Sequence, residues 1–320
     1  MLKVLAKTSL NDIPVCYSNI LYRQEDIMQN QTDVITGKDL GFKLIEYIEE
    51  RYKDSNSISG VRSGFPTIDA MTHGFQKGNL ITVCSNLRYY KKCFVMQLLH
   101  NIVVKEKSSF GFFSYTMNDQ EFGLSMISRE TLVPVSKIVA GMLSKQDLNE
   151  IQVALGLIFE SQIVVPKVYS FSFEELCKTI RKTVEQYDLR VIYIDSLNTI
   201  PIKKDLGVYK NRFVNILKKL KMLAVELDIT IITEYYSYED DKALVVDDID
   251  KTELLLRKTD FLYSYSDIVL QLQNVYVNKD DFEFDQYELE IHCNTYGLAK
   301  AKTLLFDPNI DVFSEEEYYH

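Results

Sequence analysis

The chain has 320 residues, 46% of them hydrophobic, which is enough apolar material for one large core or two modest ones. Its formal net charge of −10 disfavours binding to a polyphosphate backbone unless a local basic patch offsets it. The cysteines show no metal-ligand spacing, and they are Cys16, Cys84, Cys93, Cys177 and Cys293. Such unpatterned thiols, with no signal-peptide pattern and no membrane-length apolar run in the sequence, lead us to expect a soluble, cytoplasmic protein.

The first part of the chain predicts one helix and a linker. Residues 1–34 show no clear pattern. From 38 to 53, apolar residues recur at three- and four-residue steps, which predicts an amphipathic helix with a stripe of Phe42, Ile45, Ile48 and Tyr52. The polar stretch "DSNSISG" that follows predicts a linker. We therefore expect an N-terminal extension over 1–57, whose helix packs either on its own domain or on a neighbouring subunit.

From Ile58 onward, strand and helix patterns alternate. Alternation of this kind predicts a mostly parallel sheet covered by helices on both faces. The predicted strands are 80–84, 110–115, 162–165, 190–195 and 229–234. Helices fill the gaps, the clearest at 173–187 and 208–227, and the apolar run 94–104 also predicts a helix. After residue 260 three further strands, 267–275, 287–293 and 299–305, predict an antiparallel addition at the sheet edge. We interpret 58–320 as one α/β domain.

Several motifs in this domain occur in a recognisable order. The glycine-rich segment "SGVRSGFPTIDAMTHGFQKGNLITV" (59–83) is followed by "GFFSYTMN" (111–118), "VIYIDSLNTI" (191–200) and "HCNTYG" (292–297). Together they resemble the RecA-like motor domain of DnaB-type replicative helicases, over roughly residues 58–306. In the family a glycine-rich lead-in precedes the strand of the phosphate loop. The residues of 59–83 that match this lead-in are Gly60, Gly64, Phe65, Asp69, Gly74, Gly78 and Leu80. The resemblance implies a RecA-like P-loop NTPase fold, and more weakly it identifies the 38–53 helix as the family's linker helix.

The resemblance places "SNLRYYKK", residues 85–92, at the family's phosphate loop, A-x-x-x-x-G-K-[ST]. Ser85 begins the motif and Lys91 keeps the lysine. Tyr90 replaces a glycine, and we expect its side chain to fill the space that a phosphate needs. Lys92 replaces the hydroxyl residue that holds magnesium, which a cation would repel. Asp195 keeps the carboxylate of the Walker B strand and should lie near the 85–92 turn.

The other catalytic positions of the family carry different residues here. Thr116 stands where the family has the glutamate that activates water, and threonine is a far weaker base. Tyr236 stands at the glutamine that senses the γ-phosphate, and Cys293 and Thr295 replace a lysine and the arginine finger. Loss of an arginine finger alone costs about 10³–10⁵ in rate. We therefore expect neither ATP nor magnesium as a cofactor, and no other metal site, since the histidines share no ligand spacing: His73, His100, His292 and His320.

Two loops correspond to the family's DNA-binding loops. The first carries cations that could contact phosphates, Lys203, Lys204, Lys210 and Arg212. The second, 237–258, is dominated by aspartates, although Arg257 matches an arginine of the family. These features predict weak DNA binding at most.

The sequence supports three hypotheses about function. The first is a DnaB-like protein that has kept the fold, lost ATPase and helicase activity, and acts by binding to itself, to a related helicase or to another replication protein. The second is an active or weakly active ATP-dependent helicase that uses Lys91 and Asp195. The third is a nucleotide-independent nucleic-acid-binding module. For Lys91 and Lys92, plain solvation at a helix start is an equally simple interpretation.

Overall fold

The structure, a computed structural model, describes residues 35–53, 58–201, 209–237, 261–274, 285–292 and 299–315. The chain divides into two compact units, 1–57 and 58–320. In the first unit, helix α1 spans Gly37–Lys53, so the predicted amphipathic helix is present. Its first turn is fixed by Thr36, whose hydroxyl donates to the carboxylate of Asp39 at 2.6 Å.

A nine-stranded sheet forms the centre of the second unit, with the order β3-β2-β4-β5-β1-β6-β7-β8-β9. The strands are β1 (Leu80–Ser85), β2 (Phe110–Phe113), β3 (Ile163–Val164), β4 (Val191–Ile194), β5 (Thr230–Tyr236), β6 (Ile268–Asn274), β7 (Asp285–His292), β8 (Lys300–Asp307) and β9 (Val312–Glu315). Pairing is parallel from β3 to β6 and antiparallel from β6 to β9. The predicted RecA-like architecture, with antiparallel strands at its C-terminal end, is confirmed.

The second unit has one helix ahead of β1, and its other helices connect the parallel strands. The helices are α2 (Pro66–Thr72), α3 (Arg88–His100), α4 (Asp119–Thr131), α5 (Val135–Val139), α6 (Lys145–Glu160), α7 (Phe173–Tyr187) and α8 (Tyr209–Leu227), with a π-helical turn at Asn101–Lys105. Reciprocal capping boxes at Asn118, Ser144 and Ser172 begin α4, α6 and α7, which is why these helices start where they do. No helix within the described ranges is long and apolar enough to cross a membrane.

The core lies on both faces of the parallel strands. Every residue of β1 is buried. Ile81 and Val83 belong to one apolar cluster, while Leu80 and Cys84 belong to the other. Successive side chains of a strand point to opposite faces, so both faces of β1 are covered.

The glycine-rich lead-in is a close-packed turn ahead of β1. Val61 and Phe75 form an isolated antiparallel bridge across it. A Cβ on Gly60 would lie 2.5 Å from the Phe75 carbonyl oxygen, and one on Gly74, whose φ is +78°, would lie 2.6 Å from Ile58. Both positions therefore need glycine for packing.

Strand β9 was not predicted from the sequence, and side chains from two helices hold it. The amide of Gln97 on α3 donates to the Phe313 carbonyl at 2.7 Å and accepts from its N–H at 2.6 Å. The carboxylate of Glu315 accepts from the backbone N–H and the hydroxyl of Thr67, at the first turn of α2. The C-terminal strand thus fastens two helices to the sheet edge.

Candidate functional site

The connection between β1 and α3 is much shorter than predicted. Only Asn86 and Leu87 separate the strand from the helix, because α3 begins at Arg88. The backbone N–H of Lys91 donates to the Leu87 carbonyl at 2.9 Å, as a helix requires. The hydroxyl of Ser85 already has two partners within the protein: it donates to the Leu272 carbonyl and accepts from the Leu87 N–H. A phosphate loop needs several non-helical residues that arch around the phosphates ahead of the helix, and here five of the eight residues of 85–92 are already in α3.

The expectation for Tyr90 is wrong. Its ring does not line the cavity beside the turn but packs on the antiparallel part of the sheet. The centroid of the ring lies 4.6 Å from that of Tyr287 and 5.1 Å from that of Phe306. Tyr90 is on α3, and its position on the helix turns the side chain toward these aromatic residues. It therefore serves the core rather than blocking a phosphate.

Lys91 is buried, so the interpretation as a solvated lysine is also wrong. Its ammonium lies 2.7 Å from the carboxylate of Glu234, and the two side chains are 4% and 9% exposed. The other oxygen of Glu234 accepts a short hydrogen bond from the hydroxyl of Tyr193 on β4. Burial raises the pKa of Tyr193 well above its ordinary value, and the nearby charge of Glu234 adds to the rise, so the phenol remains a donor.

Glu234 was not predicted as a site residue. It lies within the apolar run of β5, and the strand register sets it beside Val83 of β1. Carboxylates are almost never fully buried unless they are paired. A glutamate inside a predicted core strand was therefore a signal that a buried cation had to be nearby.

Asp195 follows β4 directly, at the carboxyl end of the strand, as predicted. One of its oxygens accepts three hydrogen bonds, from the Ser114 hydroxyl at 2.7 Å and from the Thr116 N–H and hydroxyl at 3.0 and 2.6 Å. The other accepts from the Ser196 N–H at 2.7 Å. Thr116, for which we predicted the family's glutamate position, thus binds the carboxylate of Asp195.

Lys91 and Asp195 line the same cavity of about 330 Å³. Lys91 is on the helix that follows β1 and Asp195 follows β4, and β5 lies between these two strands. Arg88, Lys92 and Tyr236 also line it. The guanidinium of Arg88 lies 4.7 Å from the centroid of the Tyr236 ring, and the ammonium of Lys91 lies 6.0 Å from it. Such distances allow cation–π attraction.

The backbone at Tyr236 is fixed by one side chain. The amide of Asn198 accepts from the Tyr236 N–H at 2.8 Å and donates to its carbonyl at 3.1 Å. The tyrosine ring therefore has a fixed anchor at the cavity wall.

Of the other residues that we predicted for the site, some lie within the described ranges of the structure and some lie outside them. Arg212 is half-buried and donates to the Ile200 carbonyl at 2.6 Å, so its guanidinium is bound within the protein. The side chains outside the described residues are those of Lys203, Lys204, Lys210, Arg257, Cys293, Thr295 and His320. His100 contacts Glu130 and His292 contacts Glu290. Within the described ranges, no three metal-ligating side chains form a group that could hold a metal ion.

Comparison with known proteins identifies the family. The model of the "DnaB-like helicase C terminal domain" matches residues 60–315. The replicative DNA helicase DnaB of Treponema pallidum is 27% identical over 189 residues, which cover 59% of this chain and 43% of that protein. The corresponding helicase of Geobacillus stearothermophilus is 25% identical over 276 residues, covering 84% and 59%. The chain thus spans about half the length of these relatives.

A solved structure supports the same fold. A DnaB-like replicative helicase, whose structure was described together with its interactions with primase, superposes with a TM-score of 0.71 at 22% identity. The match covers 93% of this chain and 70% of that one. With a family model matched across most of its length, this chain belongs to the DnaB-like helicase C-terminal domain family.

Proposed function

We propose that this protein is a DnaB-like helicase homologue that has lost ATPase and helicase activity and acts as a binding or regulatory protein in DNA replication. The observation that carries the proposal is the two-residue connection between β1 and α3. A phosphate loop works because a flexible, glycine-containing backbone turns several N–H groups inward around the phosphates. Here the corresponding residues, from Arg88 to Lys92, are committed to helix α3.

The residues at the expected magnesium position are as unsuited to the ion as the 85–92 turn is to a phosphate. In this family's chemistry a hydroxyl residue and the Walker B aspartate hold Mg²⁺ and its waters. Lys92 brings a cation to the hydroxyl position, and Asp195 already accepts four hydrogen bonds from its own neighbours. Binding the ion would require breaking several of these bonds. The residues present are therefore a poor fit for MgATP.

The proposal predicts that ATP binding itself fails. In calorimetric titrations with ATP and magnesium we expect no affinity tighter than about 1 mM, or about −4 kcal/mol. Phosphate release should stay at background with and without single-stranded DNA. Micromolar binding that disappears in Lys91→Ala, while that variant remains folded, would favour the active helicase instead, as would DNA-stimulated hydrolysis.

We propose that the protein acts through contacts with other chains, including its own copies. Helix α1 exposes a broad apolar face that includes Leu40, Leu44 and Tyr47 besides the predicted Ile48 and Tyr52. In the second unit, α6 exposes a further apolar row of Leu148, Leu155 and Phe159, the last of which is 91% exposed. Two such faces in one chain support self-association or binding to a related helicase or replication protein.

A further inference from the structure

We propose that Glu234 takes the place of a phosphate group on Lys91, so that the cavity contains an anion supplied by the chain itself. This inference rests on the proposed loss of nucleotide binding and names a cause for it that is separate from the short turn. It concerns one ion pair, and it predicts that a single neutral substitution exposes an anion site.

The geometry of Glu234 is that of a bound ligand. One carboxylate oxygen accepts from Lys91 at 2.7 Å and the other from the Tyr193 hydroxyl. The donors come from α3 and β4, while Glu234 itself is on β5 between β4 and β1. Carboxylates and phosphates both accept strong, short hydrogen bonds from an ammonium group. An incoming phosphate must therefore displace a carboxylate that the sheet holds in position.

The charges that line the cavity indicate that Glu234 is the carboxylate that neutralises Lys91. Arg88, Lys91 and Lys92 supply three cations, and Asp195 and Glu234 supply two carboxylates. Of the two carboxylates, Glu234 is the one paired with the buried lysine, while Asp195 accepts from hydroxyls and N–H groups. Neutralising Glu234 would leave Lys91 as a buried cation without a counter-charge, beside two further cations. Such a site favours a compact polyanion, of which pyrophosphate is the simplest probe.

The test compares two substitutions that remove the same charge from the same cavity. Glu234→Gln releases Lys91, whereas Asp195→Asn leaves the ion pair intact. We expect Glu234→Gln to bind pyrophosphate at least about tenfold more tightly than the unsubstituted protein, because one charge-assisted bond becomes available to the ligand. Asp195→Asn removes an equal charge from the cavity but leaves Lys91 paired, so it should raise the affinity by clearly less than Glu234→Gln does. Adding Lys91→Met to Glu234→Gln should abolish the gain.

The outcomes separate this inference from the proposed function. If the unsubstituted protein binds MgATP tightly, the proposed function fails. If it does not, and Glu234→Gln is folded but gains no pyrophosphate affinity, or gains no more than Asp195→Asn, the present inference fails and the proposed function stands. If Glu234→Gln does not fold, the unsubstituted full chain is labelled with ¹⁵N-lysine, and the ammonium resonance of Lys91 is followed by NMR during titration with pyrophosphate. We expect that resonance to be unchanged by excess pyrophosphate, and a saturable shift would overturn the inference.

Discussion

At the scale of single residues, the site is defined by pairings within the chain. Lys91 is bound to Glu234, and Asp195 is bound to Thr116 and its neighbours. Lys91 and Asp195, which we predicted to match catalytic residues of the family, therefore each have hydrogen-bonding or ionic partners within the chain. A buried ion pair contributes little net stability as a pair, yet removing one partner is costly because the other is left as an uncompensated buried charge.

Lys91→Met tests this consequence. We expect it to lower the free energy of unfolding by about 3–5 kcal/mol, since it leaves Glu234 buried without its cation. The matched control is Lys77→Met, which removes a lysine from a pair with Asp228 of the same 2.7 Å length, with side chains 61% and 69% exposed. That change should cost less than about 1 kcal/mol. Urea unfolding of both variants gives the comparison, and equal small losses would show that Glu234 tolerates the loss of its partner.

His100 predicts a dependence of stability on pH. Burial lowers the pKa of its imidazole from the ordinary 6.5, against the opposing charge of Glu130 2.9 Å away. The lowered pKa means that the unfolded chain binds the proton more readily than the folded protein. Stability from this group is therefore present above pH 6.5 and is lost as the pH falls through the folded-state pKa.

The measurement is the free energy of unfolding between pH 7.5 and 5.5 at about constant ionic strength. We expect stability to fall toward the acid end, and His100→Asn should flatten the dependence. His73→Asn is the control, because His73 is exposed at the end of α2 and asparagine tolerates its left-handed backbone. A slope that persists unchanged in His100→Asn would contradict the assignment.

The residue identities at the site could be predicted, but their contacts could not. The position of Asp195 followed from its place after an apolar strand. The direction of Tyr90 depended on where α3 begins, and the sequence predicted that start at residue 94 rather than at Arg88. Once the helix starts earlier, Tyr90 faces Tyr287 and Phe306 and Lys91 faces Glu234. An error of six residues in one helix boundary thus changed the role of two side chains.

At the scale of elements, hydrophobic periodicity was sufficient for most strands and for helices α1, α3, α7 and α8. Strand β2 ends at Phe113 and not at the predicted residue 115, because the Ser114 hydroxyl accepts from the N–H groups of Thr116 and Met117 and bends the chain. Strand β9 was missed because it is short and is held from outside, by Gln97 of α3 and Thr67 of α2. Contacts between distant segments leave no local pattern in a sequence.

Gln97→Met tests whether β9 depends on this attachment. The substitution keeps the length and helix propensity of the side chain but removes both hydrogen bonds to the backbone of Phe313. We expect a loss of about 1–3 kcal/mol, together with faster hydrogen exchange at residues 312–315. Gln146→Met on α6 removes an exposed bond to Glu150 and should cost less than about 0.5 kcal/mol. Unaltered exchange in β9 would show that strand pairing alone holds it.

At the scale of the whole molecule, the fold class was predictable because alternation of strands and helices and the order of four motifs both point to it. The surfaces through which the chain would contact other chains were harder to predict from the sequence. The sequence predicted an apolar stripe of four residues on the first helix, whereas the exposed apolar face of α1 also includes Leu40, Leu44 and Tyr47. The exposed row on α6 was not recognised, because that helix is apolar on its buried side as well.

Self-association through α1 is the prediction at this scale. Burying four large side chains of its stripe would contribute several kcal/mol, at about 1.5–3 kcal/mol each, and this contribution opposes the entropic cost of bringing copies together. We expect the full chain to sediment as an oligomer and a version that starts at Ser59 to sediment as a monomer. Ile48→Glu on α1 and Phe159→Glu on α6 should each dissociate the oligomer, because each puts a charge on an exposed apolar face. Met222→Glu on α8 changes a similarly exposed apolar residue of a helix that packs on the other core cluster from α6, and it should leave the oligomer intact. If the full chain and the version from Ser59 both sediment as the same monomer, α1 does not join copies, and its apolar stripe packs within its own chain or has no partner.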